Sequence, residues 1–183
     1  MTLSQGADDL TVVGKDGRGL RVRFDRLADR FQHSIDFLDG HSVHAWLTSD
    51  DDCRSDPWPK SPPLQQGSIE ERGQERVALF LGMAGRSHWS LSVETRPERV
   101  AIDFDVACRA PAAPTWLGSS YRLVAAENRP THCNVRILND NVGLTIMRSD
   151  QALSIVWTGR SLDSAVGQHW PATIRWRYRF ELL

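Results

Sequence analysis

Cysteine is scarce in this sequence, and its spacing is typical of neither a metal site nor a disulfide framework. The three cysteines, Cys53, Cys108 and Cys133, lie far apart and form no CxxC pair. An odd and widely spaced set argues against disulfides and against structural zinc, and it favours reduced thiols. Cys108 falls on an apolar strand face, where a small hydrophobic side chain suits a core. We therefore predict no bound metal.

The sequence also lacks an excess of one charge and a long apolar run. Lysine and arginine total 22 against 23 acidic residues, so no overall field would attract nucleic acid or an anionic membrane. No apolar stretch approaches the ~18 residues that cross a bilayer, and residues 1–9 show no signal-peptide pattern. We expect a soluble cytoplasmic protein with no nucleic-acid or membrane partner.

Motifs for catalysis and for cofactor binding are missing as well. There is no G-x-S-x-G elbow, and the adjacent His132 and Cys133 would point to opposite faces of an extended segment. The glycines at positions 14, 17 and 19 lie in a turn between strands, whereas a phosphate-binding or dinucleotide-binding loop opens a helix. We predict no cofactor, and the sequence leaves open whether the protein is an enzyme.

The pattern that is present is an alternation of apolar and polar residues with a period of two. Leu20, Val22 and Phe24 alternate with charged residues, and turn residues interrupt such runs roughly every 8 to 12 residues, which is typical of an all-β sandwich or barrel. We predict a single mainly-β domain over residues 1–183. It is an antiparallel β-sandwich or flattened barrel of about ten to twelve strands, built from consecutive hairpins with at most one or two short helices. The alternative is an up-and-down, lipocalin-like barrel with an internal cavity.

Two segments allow a helix. Apolar side chains in residues 26–38 recur at both helical and strand-like spacing, and a short helix is possible between Ser161 and Gln168. For the first segment we favour a strand, followed by a turn at Asp39-Gly40. That register makes His33 and His44 diagonal neighbours, the one histidine pair to consider as ligands, although a core or boundary position suits them better.

The best-defined hairpin joins residues 88–94 to residues 101–109 through a loop at 96–99. In this register Val93 lies opposite Ile102, and one face of the hairpin is continuously apolar. The hairpin therefore has a core-facing side and a polar side, and the polar side holds the first group of candidate ligand-binding residues.

That polar side carries a mixture of ionisable side chains. Its members are His88, Glu94, Asp103, Asp105 and Arg109. A histidine near carboxylates suits general acid/base catalysis or an oxygen-rich metal site if the face lines a cavity. If the face meets water, as one face of an antiparallel sheet commonly does, the same mixture needs no function.

A second candidate group is a row of arginines on the strand predicted from Thr173 to Leu182. Arg175, Arg177 and Arg179 stand about 6 to 7 Å apart along it. If this strand lies beside the hairpin, Asp103, Asp105 and Glu94 are natural counterions and the row is a structural charge ladder. Otherwise the row is a candidate binding site for a phosphate or carboxylate ligand.

The third candidate group consists of two loop tryptophans. Trp58 and Trp116 sit in proline-bearing loops instead of strands. There they suit stacking on a sugar, a nucleobase or a peptide. The alternative, which we favour, is that each indole anchors its loop to the core.

Three functions stay open. The first is a non-catalytic binding or interaction module, because the candidate residues are scattered and the loops carry unusual aromatics. The second is a small-molecule-binding barrel, enzymatic or not. Its chamber would bury Glu94, Asp103 or Arg177, and burial would perturb the pKa of that residue. The third is a structural or assembly protein that closes an apolar patch by forming a homo-oligomer. The expected partner is thus a small molecule or a protein.

Overall fold

In the computed structural model, the described part of the chain consists of β-strands and their connections. It comprises residues 9–50, 57–73, 75–124, 130, 132–138, 143–157 and 169–183. The strands found there are β1 (Asp9–Val13), β2 (Arg18–Leu27), β3 (Arg30–Asp39), β4 (Ser42–Ser49), β5 (Gln66–Arg72), β6 (Glu75–Ala84), β7 (Ser87–Arg96), β8 (Ala101–Ala110), β9 (Gly118–Leu123), β10 (Cys133–Ile137), β11 (Leu144–Arg148), β12 (Ala152–Trp157) and β13 (Ala172–Leu182). β1 is a strand that the sequence pattern did not predict. The possible helix at residues 161–168 lies outside the described residues.

The strands form two antiparallel sheets packed as a sandwich. Within the described ranges, the large sheet has seven strands in the order β1-β2-β3-β4-β9-β12-β11, and the small sheet has six in the order β10-β13-β8-β7-β6-β5. The predicted mainly-β sandwich is confirmed, and the up-and-down barrel is wrong, because the two sheets in the described residues stay separate. Consecutive hairpins build β1 to β4 and β5 to β8, whereas β9 to β13 are divided between the sheets.

Residues 30–39 form a strand, as predicted, and not a helix, since β3 pairs with β2 on one side and β4 on the other. The predicted register with β4 is wrong. The two-residue loop is Gly40-His41, with Gly40 at φ +57°, and a bulge interrupts the pairing further along. His44 consequently lies opposite Phe37, so it is not a diagonal neighbour of His33.

The hairpin of β7 and β8 keeps the predicted faces but not the predicted register. Its loop spans residues 97–100, one residue later than expected, because Val100 ends a short 3-10 turn in the left-handed region with φ 47°. Val93 therefore lies opposite Phe104 instead of Ile102. A shift of two residues leaves the core-facing side chains unchanged.

Aromatic side chains from both sheets fill the space between them. Phe104, Tyr178 and Phe180 come from the small sheet, and Tyr121 and Trp46 come from the large sheet. All five are buried. Because aromatic side chains remove large apolar areas from water, this cluster contributes strongly to holding the sheets together.

A chain of hydrogen-bonded polar groups crosses this aromatic core. The Nε2 atom of His33 lies 3.0 Å from the Tyr121 hydroxyl, which in turn lies 2.6 Å from the Tyr178 hydroxyl. Burial lowers the pKa of His33 to about 4. The imidazole is therefore neutral at neutral pH, as a buried ring without a carboxylate partner should be.

Residues 57–64 cross from the large sheet to the small sheet. At the large sheet, the Phe31 N–H donates to the Leu64 carbonyl over 2.7 Å. At the small sheet, the Pro63 carbonyl oxygen lies 1.5 Å from the position that a Cβ on Gly82 would take. Only glycine admits this close approach of two backbones.

Candidate ligand-binding site

The polar face predicted from the sequence lies on the outer surface of the small sheet. It carries His88, Glu94, Asp103, Asp105, Arg109, Arg175, Arg177 and Arg179 on strands β7, β8 and β13. Asp105 lies opposite Arg177, and Asp103 lies opposite Arg179. Since the apolar side chains of these strands point to the large sheet, this face lines no chamber between the sheets in the described part of the chain.

Asp103 is the most buried charged group of this face. It accepts hydrogen bonds from Arg179 at 2.5 and 2.8 Å and from Arg96 at 3.0 Å, and Arg96 also donates to Glu94 at 2.5 Å. Burial acts to raise the pKa of Asp103, but the hydrogen bonds from Arg179 and Arg96 outweigh it and lower that pKa below its usual value. The carboxylate is thus held ionised by two guanidinium groups.

Asp105 occupies the neighbouring, more exposed rung. It accepts a hydrogen bond from Arg175 at 2.6 Å and lies 3.5 Å from the Nε atom of Arg177. The row of arginines therefore has the protein's own carboxylates as counterions, which is the geometry of the structural charge ladder. This arrangement leaves little positive charge to hold an anionic ligand.

His88 and Arg109 lie beside the ladder, opposite each other, and both are exposed. On the adjacent strand β6, Leu81 and Met83 are 58% and 44% exposed. A cavity of about 270 Å³ opens there against the Gln65 side chain. This corner combines apolar and polar surface, as contact surfaces for proteins do.

The two loop tryptophans are tied to the fold. Trp58 is half-buried and packs against the hydrophobic core. Trp116 is also half-buried, and its Nε1 donates to the Lys60 carbonyl at 3.4 Å. These contacts favour loop anchoring over stacking on a ligand.

A further cavity, which the sequence did not indicate, opens between the two sheets where β10 approaches β11. Its volume is about 220 Å³. The walls are formed by Trp46, Leu47, Leu123, Pro130, Cys133, Val135, Arg148, Ser149, Ala152 and Leu153. Most of these side chains are apolar, and the exposed Arg148 and Ser149 mark the mouth.

Strand pairing explains why Arg148 reaches this cavity. Arg148 lies opposite Leu153 in the β11–β12 pair, and directly paired residues share a face of the sheet. Leu153 is buried in the core, so Arg148 stands on the core-facing side at the end of its strand. The sequence did contain a signal, since Leu144, Ile146 and Arg148 alternate with outward residues and place an arginine on an apolar face.

The thiol on the cavity wall is held in its protonated form at neutral pH. Burial raises the pKa of Cys133 to about 12, although the nearby charge of Arg148 acts in the opposite direction. The thiolate is the reactive form of cysteine. The described cavity wall also carries no histidine and no carboxylate, and no cluster of three or more metal-ligating side chains occurs within the described ranges.

No family model, curated protein or solved structure matches this chain. Within the described ranges, no helix is long and apolar enough to cross a membrane. Function must therefore be inferred from the cavity and from the outer face of the small sheet.

Proposed function

We propose that this chain is a non-catalytic binding module that takes a small, largely apolar molecule into the cavity between its sheets. One observation carries the proposal: a cavity of about 220 Å³ opens from the hydrophobic core to solvent. An apolar cavity of about 150 Å³ already holds benzene. The space therefore suits a molecule with one ring or one branched hydrocarbon chain.

Binding without catalysis fits the chemistry of the walls. The Cys133 thiol is protonated at neutral pH, because burial raises its pKa to about 12. The described wall offers no imidazole or carboxylate for general acid/base catalysis, which is the commonest way to move a proton in an active site. What remains is an apolar surface with a polar mouth, the usual composition of a binding pocket.

The proposal can be tested by titrating phenylacetate, phenylacetamide and phenethylamine into the protein and measuring binding by calorimetry. These probes share one phenyl ring and differ in charge. The variant Leu123→Trp adds an indole on the cavity wall and should abolish binding of every probe that the wild type binds. Met147→Trp is the matched control, since Met147 is exposed and its neighbours in the alternation of β11 face the core.

Two results would contradict the proposal. One is that none of the three probes binds the wild type at millimolar concentration. The other is that Leu123→Trp and Met147→Trp bind the probes equally well, because binding would then occur outside the cavity.

A second candidate function is self-association through the outer face of the small sheet. The exposed Leu81 and Met83 beside His88 favour it, since adjacent exposed apolar side chains commonly mark contact sites. Sedimentation velocity should then show a dimer that Leu81→Glu converts to a monomer. Val43→Glu, on the large sheet, should leave the dimer intact, and a monomeric wild type would remove this candidate.

A further inference from the structure

We infer that the ligand of the inter-sheet cavity carries a carboxylate, which Arg148 and Ser149 hold at the mouth while an apolar body fills the cavity. This inference rests on the proposed function and adds to it the class of ligand. It depends on three features of the mouth: a guanidinium without a carboxylate partner among the described residues, a hydroxyl whose proton has no acceptor among them, and an apolar wall directly behind both.

The first feature is the charge of Arg148. Among the described residues, Arg148 forms no ion pair with a carboxylate. Other arginines of the sandwich do: Arg21 and Arg23 both donate to Asp36, at 2.7 and 3.0 Å. A guanidinium at the rim of an apolar space binds an anion most strongly when the anion is planar and accepts two parallel hydrogen bonds, as a carboxylate does.

The second feature is the hydroxyl of Ser149, the next residue along the chain. Its Oγ accepts hydrogen bonds from the backbone N–H groups of Gln151 and Ala152, at 3.3 and 3.0 Å. A serine hydroxyl accepts two hydrogen bonds and donates one. Both acceptor positions are thus used within the turn, and the one proton that Ser149 can donate has no acceptor among the described residues.

The backbone that carries these two donors is fixed by a hairpin. Arg148 ends β11, and the Ser149 N–H donates to the Ala152 carbonyl at 2.9 Å to close the hairpin with β12. A fixed backbone leaves only the two side chains to be ordered when a ligand binds. Arg148 and Ser149 together can therefore offer both a positive charge and a hydroxyl to the two oxygens of one carboxylate.

The third feature determines the rest of the ligand. Behind the two donors lie Trp46, Leu47 and Val135, all buried. The indole of Trp46 already packs edge-on against Phe180, with ring centroids 5.5 Å apart. The apolar body of the ligand would extend this aromatic cluster, so an aryl or branched aliphatic acid fits better than a hydroxylated or dianionic one.

The test compares probes and charges at one site. Phenylacetate should bind the wild type about tenfold more tightly than phenylacetamide, because a charge-assisted hydrogen bond is roughly twice as strong as a neutral one. Arg148→Met should remove that difference, and Arg148→Lys should retain a preference for the anion. Arg86→Met, at an exposed position in the β6–β7 turn, changes the net charge equally and should leave both affinities unchanged.

The outcomes separate this inference from the function it rests on. If phenylacetate and phenylacetamide bind equally to the wild type and Leu123→Trp abolishes both, the cavity binds ligands and the carboxylate inference is wrong. If phenethylamine binds most tightly, Arg148 does not select the ligand and the inference is also wrong. Tighter binding of N-acetylphenylalanine than of phenylacetate would assign the carboxylate to a peptide end instead of a free acid. If Arg148→Met does not fold, Arg148→Lys provides the test instead. Loss of the preference for phenylacetate in Arg148→Lys, which keeps the positive charge, would show that Arg148 acts through its shape and would contradict the inference.

Discussion

At the level of single residues, His33 gives the protein a dependence of stability on pH. Burial lowers the pKa of His33 to about 4, whereas an unfolded histidine titrates near 6.5. Between these values the unfolded state binds a proton that the folded state does not, so the free energy of unfolding decreases as the pH falls. We expect a loss of about 2 kcal/mol between pH 7 and pH 5, measured by urea denaturation.

The substitution His33→Gln isolates this effect. It removes the titrating ring but keeps a polar group near the Tyr121 hydroxyl, so the loss between neutral and mildly acidic pH should shrink. His41→Gln, at an exposed turn position, should keep the full loss. An unchanged pH dependence in His33→Gln would show that another group is responsible.

Asp103 and Asp105 should differ in their contribution to stability, although both pair with arginine. Asp103 is 4% exposed and accepts hydrogen bonds from Arg179 and Arg96, so Asp103→Asn leaves buried charges without a partner and should cost about 3 kcal/mol. Asp105 pairs with exposed arginines, and Asp105→Asn should cost less than about 1 kcal/mol. Thermal melts compare the two, and equal losses would contradict this distinction.

Individual residues also show how far a sequence predicts a site. The charge ladder could be anticipated, because alternation alone places Asp103, Asp105 and Arg177 on outward faces. The importance of Arg148 could not be derived in the same way. It depends on β10 of the small sheet lying close to β11 of the large sheet, a contact between strands of different sheets that alternation does not encode.

At the level of secondary-structure elements, the segment of residues 57–64 that connects the two sheets depends on one glycine in β6. A Cβ at position 82 would lie 1.5 Å from the Pro63 carbonyl oxygen, so Gly82→Ala should lower the free energy of unfolding by more than about 2 kcal/mol. It should also increase hydrogen exchange at the Phe31 amide, which donates to Leu64 in the same segment. Gly73→Ala meets no atom within 4 Å but strains the backbone, since Gly73 has φ +67°; it therefore controls for destabilisation elsewhere and should raise exchange at Phe31 less than Gly82→Ala does.

The hairpins show which part of an element a sequence can specify. The faces of β7 and β8 followed from their alternation, because a buried face tolerates no shift of one residue. The register of β7 with β8 could not be derived from the alternation, because Val100 adopts a left-handed conformation that is uncommon for a branched side chain. In the β3–β4 hairpin, the loop lies one residue later than predicted, which places His44 opposite Phe37, and the bulge shifts only the pairs beyond it, from Ile35 onward.

At the level of the whole molecule, the sandwich should unfold as a single domain. Tyr121 and Trp46 of the large sheet pack against Phe180 of the small sheet, so neither sheet keeps its core without the other. Urea unfolding followed by tryptophan fluorescence and by far-ultraviolet circular dichroism should give coincident transitions. Two separated transitions would indicate that the sheets are independent units.

The class of fold was predictable, but the order of the strands was not. Alternation with frequent turns indicates a β-sandwich and predicts consecutive hairpins, as found in β1 to β4 and in β5 to β8, but it does not show that the chain changes sheets between β4 and β5. β9 departs from this pattern, since it enters the large sheet between β4 and β12. The placement of β9 depends on side chains that meet across the core, such as Tyr121 and Tyr178. The local sequence pattern does not indicate such contacts.

The position of β8 has a consequence for the growing polypeptide. β8 pairs with β7 on one side and with β13 on the other, so it is an edge strand until the ribosome has delivered β13. Unpaired edges invite other nascent chains to add to them, and charged side chains discourage this. Asp103 and Asp105 stand on that temporary edge as negative charges before Arg179 and Arg175 arrive, and at that stage Asp103 has only Arg96 of β7 as a partner. The same two carboxylates would thus protect the chain against aggregation during synthesis and, afterwards, stabilise the pairing of β8 with β13 through their ion pairs.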